Sequence, residues 1–163
     1  MPKGDAKCLD CSSSGLSFAP NNSSKSRIIK EPCSWFEILY LVKELARQTA
    51  SKKFDSILAI TNGGIIPARL LAEELGIGDI KLVPIRGKKI IASEMPVLDK
   101  KKRYLVIDDI YDTGYTYEKV SKALKGFNCD YAFCMTRHPT DAGIYGRILG
   151  HSRWILFPWE WVQ

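Results

Sequence analysis

Two adjacent acids and the loop that follows them are the residues of this chain best suited to chemistry. Asp108 and Asp109 follow the apolar residues 105–107, and next comes the run Asp112-Thr113-Gly114-Tyr115-Thr116. Backbone amides in such a loop, just before a helix, favour an anion such as phosphate. Acids beside a phosphate cradle fit a ligand that also brings hydroxyl groups or a divalent cation. A sugar with a phosphate, a diol and a pyrophosphate meets both conditions.

A second turn of similar character follows the apolar residues 56–60. Its sequence is Thr61-Asn62-Gly63-Gly64, and the two glycines allow backbone amides to approach an anion closely. The alternative is a tight turn between a strand and a helix that binds no ligand.

The run of residues 105–116 resembles the phosphoribosyl pyrophosphate (PRPP) signature of type I phosphoribosyltransferases. The apolar strand, the paired acids, the Asp-Thr-Gly sequence and the final Thr116 all match. The resemblance extends over roughly residues 34–160, with its most specific match at 104–116 and good matches at 61–67 and 154–160. It implies displacement of pyrophosphate from PRPP by a nitrogen of a base, with Mg²⁺ as the cofactor.

The resemblance also implies roles for the residues of both turns. Asp108 and Asp109 receive the ribose hydroxyls, directly or through metal and water, which makes them catalytic and metal-binding candidates. Asp112 is in addition the candidate general base near the purine imidazole. The 5′-phosphate is expected to be wrapped by the loop residues Asp112, Thr113, Gly114, Tyr115 and Thr116.

The turn after the first strand corresponds to the pyrophosphate loop of the family. Its residues are therefore also expected to bind PRPP: Thr61, Asn62, Gly63 and Gly64. The family often has a non-proline cis peptide in this loop. Its second position commonly carries Arg or Lys, and Asn62 departs from that pattern. Residues 86–102 occupy the position of the catalytic lid, in which Arg86, Lys88 and Lys89 are placed to close over pyrophosphate. A solvated run of charges is the alternative for any one of these lysines.

Two separate segments are expected to choose the base. In the xanthine-guanine branch of the family, a cation just past the fourth strand binds the purine 6-oxo group, and here Arg137 takes the place of the usual lysine. An aromatic residue of a C-terminal Trp-Ile-x-x-Pro-Trp-acid segment stacks on the ring, and Trp154 and Ile155 begin that segment here. An always-charged donor prefers the carbonyl acceptor of a 6-oxopurine to the amino group of adenine.

These residues predict a Mg²⁺-dependent purine-salvage enzyme that uses PRPP and guanine, xanthine or hypoxanthine. One alternative is a PRPP-binding regulatory protein, which the first 30 residues disfavour because they are too short and polar for a helix-turn-helix. The other alternative is a phosphoribosyltransferase for another base.

The elements that position these residues alternate between helix and strand. Ser34 and Glu37 form a capping-box pattern, and apolar residues at helical spacing predict a helix over 35–50. Strands are predicted at 56–60, 80–85, 103–107 and 131–135, and helices at 68–75 and 116–125. Residues 86–102 are expected to form a mobile loop or a small hairpin. The tail from Trp154 is predicted to form a final edge strand and a short C-terminal hood over the core.

This order predicts an α/β fold: a doubly wound, Rossmann-like, mostly parallel sheet of about five strands flanked by helices, with a flexible lid loop. Ligands of such sheets bind at the carboxyl ends of the strands. Residues 1–27 are rich in Ser, Asn, Lys and Gly, and are predicted to be a flexible extension before a domain spanning 28–163.

Composition narrows the partners. The net charge is +6, but the basic clusters are short and lack interleaved aromatic residues, so we expect a polyanionic small substrate and no nucleic acid. No apolar run reaches membrane-spanning length, and the N-terminus has no signal-peptide core. Five cysteines, of which Cys8 and Cys11 form a lone Cys-x-x-Cys pair, indicate reduced thiols in the cytoplasm. A homo-oligomer, either a dimer or a tetramer, is expected.

Overall fold

Apolar runs bounded by turns form a central five-stranded sheet in the computed structural model, which describes residues 29–160. The helices are α1 Trp35–Thr49, α2 Ile65–Leu75 and α3 Tyr115–Ala123. The strands in chain order are β1 Lys30–Pro32, β2 Ser56–Ile60, β3 Ile80–Val83, β4 Ile85–Arg86, β5 Lys89–Ile90, β6 Arg103–Tyr111, β7 Asn128–Thr136, β8 Ile144–Ile148 and β9 Trp154–Leu156. The central sheet has the order β3-β2-β6-β7-β8, and all of its pairings are parallel. The predicted α/β fold is confirmed.

Helix boundaries follow from local chemistry. The hydroxyl of Ser34 accepts a hydrogen bond from the Glu37 amide at 3.2 Å, which caps α1 as the sequence pattern predicts. Gly76 ends α2 with φ of 66°, a left-handed conformation that suits glycine. The start of α1 and the end of α2 therefore lie at residues whose local chemistry favours a helix end.

Helices cover both faces of the sheet. On one face, α1 and α2 bury an apolar cluster that includes Leu41, Leu71 and Leu105. On the other face, α3 and the β4–β5 segment cover a second cluster around Tyr104 and Val120. Because the chain crosses from β2 first to β3 and then back to β6, the strand order reverses between β2 and β6. Ligands of doubly wound sheets bind at such a reversal.

The fifth strand of the sheet corrects the sequence prediction. It is β8, which was not predicted, whereas the predicted tail strand β9 pairs with β1 in a separate two-stranded parallel sheet. In that small sheet Lys30 is opposite Trp154, and Pro32 is opposite Leu156. The C-terminal hood is thus built with a strand from the other end of the described chain.

The predicted lid region contains a hairpin. Strands β4 and β5 pair in antiparallel orientation around a two-residue turn. Both residues of the turn, Gly87 and Lys88, have positive φ, as a type I′ turn requires. The following segment is tied to the sheet, since the Asp99 amide donates to the Tyr104 hydroxyl at 2.7 Å. Of the two forms expected, the small hairpin is the one observed, and motion of this region stays a prediction. The predicted strand 80–85 ends early, because Pro84 separates β3 from β4.

Some expectations fall on other parts of the chain. The predicted N-terminal extension and the Cys8–Cys11 pair lie outside the described residues. Between residues 29 and 160, no helix has the length and apolar character that a membrane span needs. Cys33, Cys129 and Cys134 are free thiols.

Candidate active site

The paired acids lie on the sheet edge where the strand order reverses. Asp108 is only 7 % exposed, and Asp109 is partly buried beside it. The strand β6 continues through both acids to Tyr111, so the expectation that they stand at its end is wrong by a few residues. Both nevertheless line one cavity of about 680 Å³, together with the loop of residues 112–116. The structure therefore brings the predicted PRPP-binding acids and phosphate loop together.

Burial sets the protonation of these acids. It raises the pKa of Asp108 well above its usual range, and the adjacent Asp109 carboxylate adds to that shift. Burial also raises the pKa of Asp109 to about 6, with a further contribution from the Glu160 carboxylate. Burial disfavours the ionised form of both carboxyl groups in the free protein. A cation or a hydroxyl donor that binds between them would stabilise that ionised form.

The turn after β2 supports Asp109. Its Thr61–Asn62 peptide bond is cis, as expected from the resemblance. A Cβ atom on Gly63 would lie within 2.5 Å of Asp109 Oδ1, so the absence of a side chain at Gly63 leaves room for this carboxylate. The Thr61 hydroxyl accepts from the Ile85 amide at 2.7 Å and thereby connects the turn to the hairpin.

Gly64 has a role in packing. Its amide donates to the Ile60 carbonyl at 2.9 Å, and a Cβ atom would lie 2.8 Å from that same oxygen and against the Ile107 carbonyl. The Gly64 amide is therefore engaged with the backbone in this structure, and the expected part of Gly64 in binding PRPP stays a prediction. The close approach of α2 to β2 and β6 requires glycine at this position.

The loop of residues 112–116 leads into α3, whose N-terminus has no side-chain cap. Gly114 has φ of 80° and precedes α3 with no side-chain capping bond, so the amides of the first helical turn are left for a ligand. Thr113 and Tyr115 are exposed at the cavity, and Thr116 lines it. A Cβ atom on Gly114 would lie 2.6 Å from the Tyr111 hydroxyl, which is a second reason for glycine here.

The three lid cations occupy different environments. Arg86 donates from both terminal nitrogens to Glu94 at 2.9 Å, so its charge is paired within the segment of residues 86–102. Lys88 lines the large cavity from the tip of the hairpin, and its carbonyl accepts from Lys119 Nζ at 2.5 Å. Lys89 is exposed and does not line this cavity. Among the three, Lys88 alone lines the cavity that the loop of residues 112–116 also lines.

A second cavity of about 190 Å³ adjoins the first under the hood. The two cavities share Asp109, Ile110, Asp112 and Trp154. Trp154 is 52 % exposed at the junction, and Ile155 is buried at the wall of the smaller cavity. A flat ring in the smaller cavity would thus lie against Trp154 and next to whatever the phosphate loop holds.

Arg137 connects the loop of residues 112–116 to the segment just before Trp154. Nη1 donates to Asp112 Oδ1 at 2.7 Å, Nε donates to the His151 carbonyl at 3.2 Å, and Nη2 donates to the Arg153 carbonyl. The side chain of Arg137 is only 12 % exposed. A guanidinium has five N–H groups, so two remain for a ligand in the smaller cavity.

The acids fit a divalent cation. Neither Asp108 nor Asp109 forms an ion pair with any residue from 29 to 160, and both offer the hard oxygen atoms that Mg²⁺ prefers. In the described part of the chain, no group of three or more His, Cys, Asp or Glu forms a metal cage. One or two carboxylates completed by water and substrate phosphates are the usual ligands of Mg²⁺.

Several residues of the site were not predicted from the sequence. Phe133, Tyr111 and Tyr117 form an aromatic wall of the large cavity, with ring centroids of Tyr111 and Phe133 5.2 Å apart. Phe157 and Glu160 line the smaller cavity. The acid of the C-terminal motif is Glu160, so that motif was the one signal available for it.

Comparison with known proteins places this geometry among related ones. Residues 34–138 match the family model described as the phosphoribosyl transferase domain. A xanthine-guanine phosphoribosyltransferase of Desulfotalea psychrophila is 34 % identical over 138 residues, which cover 79 % of this chain and 85 % of that protein.

Solved structures of related proteins have the same overall fold. A purine phosphoribosyltransferase from Pyrococcus horikoshii has 28 % identity and a TM-score of 0.65, over 82 % of this chain and 95 % of that one. The Helicobacter pylori xanthine-guanine-hypoxanthine phosphoribosyltransferase has a TM-score of 0.71 at 20 % identity, over 81 % of this chain and 94 % of that one, a likeness of fold.

Proposed function

This chain belongs to the type I phosphoribosyltransferase family, in its xanthine-guanine branch, and from that premise we propose that it salvages purines. It transfers the 5-phosphoribosyl group of PRPP to a 6-oxopurine, namely guanine, xanthine or hypoxanthine, and releases pyrophosphate. The observation that carries this proposal is the pair of adjoining cavities, one on the phosphate loop and one under Trp154, which share Asp109 and Asp112.

The larger cavity suits PRPP. The free amides at the start of α3 hold the 5′-phosphate, since a helix N-terminus attracts an anion. Asp108 and Asp109 accept hydrogen bonds from the ribose hydroxyls and would hold Mg²⁺, which when bound would supply positive charge to offset that of the pyrophosphate leaving group. Lys88 at the hairpin tip adds a positive charge on the open side of the same cavity.

The smaller cavity suits the base. Trp154 gives a stacking face, and Arg137 presents its remaining N–H groups to the 6-oxo oxygen. The purine nitrogen bonds to the anomeric carbon as the bond to pyrophosphate breaks, and Asp112 takes the proton that this nitrogen loses. The carboxylate of Asp112, with its side chain 49 % exposed, lines both cavities and so is within reach of the reacting nitrogen.

A steady-state assay with PRPP, Mg²⁺ and a panel of bases tests this function. We expect nucleotide and pyrophosphate in equal amounts with guanine, xanthine or hypoxanthine, and no turnover without a divalent cation. If adenine were the best substrate, the proposed specificity for 6-oxopurines would be wrong, but the proposed use of PRPP as the phosphoribosyl donor would still hold. PRPP binding without turnover of any base would instead favour a PRPP-binding regulatory protein.

We also propose that the protein works as a homo-oligomer in the cytoplasm. The exposed face of α1 supports self-association, because Trp35, Phe36, Leu39 and Tyr40 on it are 50 %, 81 %, 44 % and 64 % exposed. The three free thiols among the described residues suit a reducing compartment.

A further inference from the structure

The loop of residues 150–153, which leads into Trp154, is held from two sides. On the inner side, Arg137 donates to the carbonyls of His151 and Arg153. On the outer side, Glu31 of β1 contacts both of their side chains, His151 Nε2 at 3.0 Å and Arg153 Nη1 at 3.4 Å. Arg137 belongs to the base site, whereas Glu31 reaches the loop from the far end of the described chain.

Strand β1 also holds the backbone of Trp154. The Trp154 amide donates to the Ile29 carbonyl at 3.0 Å, and Lys30 is its partner in register. Three residues of parallel pairing form a short element, and a two-stranded sheet of this size has little stability by itself. Side-chain contacts across it therefore matter for the direction of the hood.

The indole has little else to fix it. Trp154 is 52 % exposed, so about half of its surface lacks packing contacts, and the orientation of its ring depends strongly on the backbone that carries it. An ordered indole binds a flat ligand more tightly than a mobile indole does, because the ordered side chain loses less conformational freedom on binding.

Glu31 is the acid that connects these contacts. Besides His151 and Arg153 it faces Arg147 Nη2 at 3.6 Å, and Arg147 also pairs with Glu37 of α1. The side chain of Glu31 is 27 % exposed. Isolated surface ion pairs contribute little, but several charges on one partly buried carboxylate form a network that fixes geometry.

We propose that Glu31 is a positioning residue for purine binding: it fixes the 150–153 loop so that Trp154 faces the base cavity. This inference rests on the proposed function, because it assumes that Trp154 stacks on the base. Glu31 lines neither cavity, so it acts through the hood alone.

The chain supplies a matched control. Glu31→Gln and Glu37→Gln each remove a carboxylate partner of Arg147, but only the first removes the contacts to the loop. We expect Glu31→Gln to raise the KM for guanine and the Kd for guanosine monophosphate about tenfold, a part of what base stacking contributes. The KM for PRPP should stay within about twofold, and Glu37→Gln should change neither constant.

A double-mutant cycle with Trp154→Ala separates positioning from general damage. If Glu31 acts through the indole, Glu31→Gln should have no further effect on purine binding once Trp154 is absent. Should Glu31→Gln unfold at the assay temperature, Arg153→Met carries the same expectation, since it removes one of the loop contacts. Equal effects of Glu31→Gln and Glu37→Gln, or an undiminished effect in the Trp154→Ala background, would overturn the inference. Failure of the wild-type protein to bind guanosine monophosphate would instead overturn the proposed function, and this inference with it.

Discussion

At the scale of single residues, Asp109 connects the parts of the site. Its carboxylate lies against Gly63 of the turn after β2, and Oδ1 accepts from the Ile110 amide at 2.7 Å. It lines both the larger and the smaller cavity. Burial of this acid makes the free protein bear an electrostatic cost that a bound cation relieves.

The electrostatic cost of burying the Asp109 charge predicts that Asp109→Asn stabilises the folded protein in a pH-dependent way. The pKa of Asp109 is raised in the folded protein from 3.8 to about 6, so the carboxyl is neutral in both folded and unfolded states below about pH 4. As the pH rises through 6, the folded protein must carry a buried charge that the unfolded chain holds in water. We expect Asp109→Asn to increase the free energy of unfolding at pH 8 by on the order of 1 kcal/mol.

Urea unfolding at several pH values without Mg²⁺ measures this difference. The gain should shrink toward zero between pH 6 and pH 4. Asp141→Asn, at an exposed acid after β7, is the control and should show no such trend. A gain from Asp109→Asn that is the same at pH 4 and pH 8 would contradict the burial of this charge.

Trp154 and Arg137 should fail in different ways when they are replaced. Trp154→Ala removes a stacking face that does not distinguish purines, worth about 1–3 kcal/mol, so the KM of every accepted base should rise by a similar factor. Arg137→Met should cost the 6-oxopurines selectively, because a carbonyl oxygen loses its charged donor. It should also lower Tm, since Asp112 and two carbonyls lose their partner. Equal losses for adenine and guanine in Arg137→Met, in a base-panel assay, would contradict the role of Arg137.

At the scale of elements, the two glycines before α2 separate binding from folding. Gly64→Ala forces a methyl group against the carbonyls of Ile60 and Ile107, and we expect it to destabilise the fold by about 1–3 kcal/mol. Gly63→Ala instead displaces the Asp109 carboxylate, so PRPP affinity in Mg²⁺ should fall while Tm changes less. Calorimetry with PRPP and thermal unfolding of both variants check this. The reverse order, with Gly63→Ala the less stable variant, would show that the turn is built differently.

Elements with strong local patterns were predictable from the sequence. The signature strand β6 contains the continuous apolar run of residues 104–107, and α1 combines a capping-box pattern with apolar residues at helical spacing. The strand β8 escaped prediction because Gly146 and Arg147 interrupt its apolar pattern. A Cβ atom on Gly146 would lie 2.7 Å from the Cys134 carbonyl, so close packing on the sheet requires that glycine. Strand β1 is three residues long, includes Lys30 and Pro32, and forms only because β9 pairs with it.

The site was predictable where the backbone determines it and less so where side chains meet. The sequence motif located the acids and the phosphate loop, since both belong to one continuous run. Two of the three hydrogen-bond partners of Arg137 are carbonyls 14 and 16 residues further along the chain, and no local pattern encodes such contacts. Likewise, the pairing of Arg86 with Glu94 depends on the hairpin turn at Gly87 and Lys88, which brings the lid back on itself.

At the scale of the whole molecule, the exposed aromatic face of α1 predicts self-association. We expect light scattering to show more than one copy per particle at micromolar concentration. Replacing both Phe36 and Tyr40 with Lys should give monomers, because charged side chains resist burial in an interface. Val97→Lys is the control, as Val97 is 94 % exposed and lies away from this helix. A wild-type monomer would contradict the proposed oligomer.

The site as a whole can be tested with one ligand that spans both cavities. In a crystal structure with guanosine monophosphate, we expect the phosphate on the amides of residues 113–116 and the ribose hydroxyls at Asp108 and Asp109. The guanine ring should stack on Trp154, with its 6-oxo oxygen within hydrogen-bond distance of Arg137. A purine bound away from Trp154, or a phosphate bound away from the start of α3, would contradict the proposed phosphoribosyl transfer site.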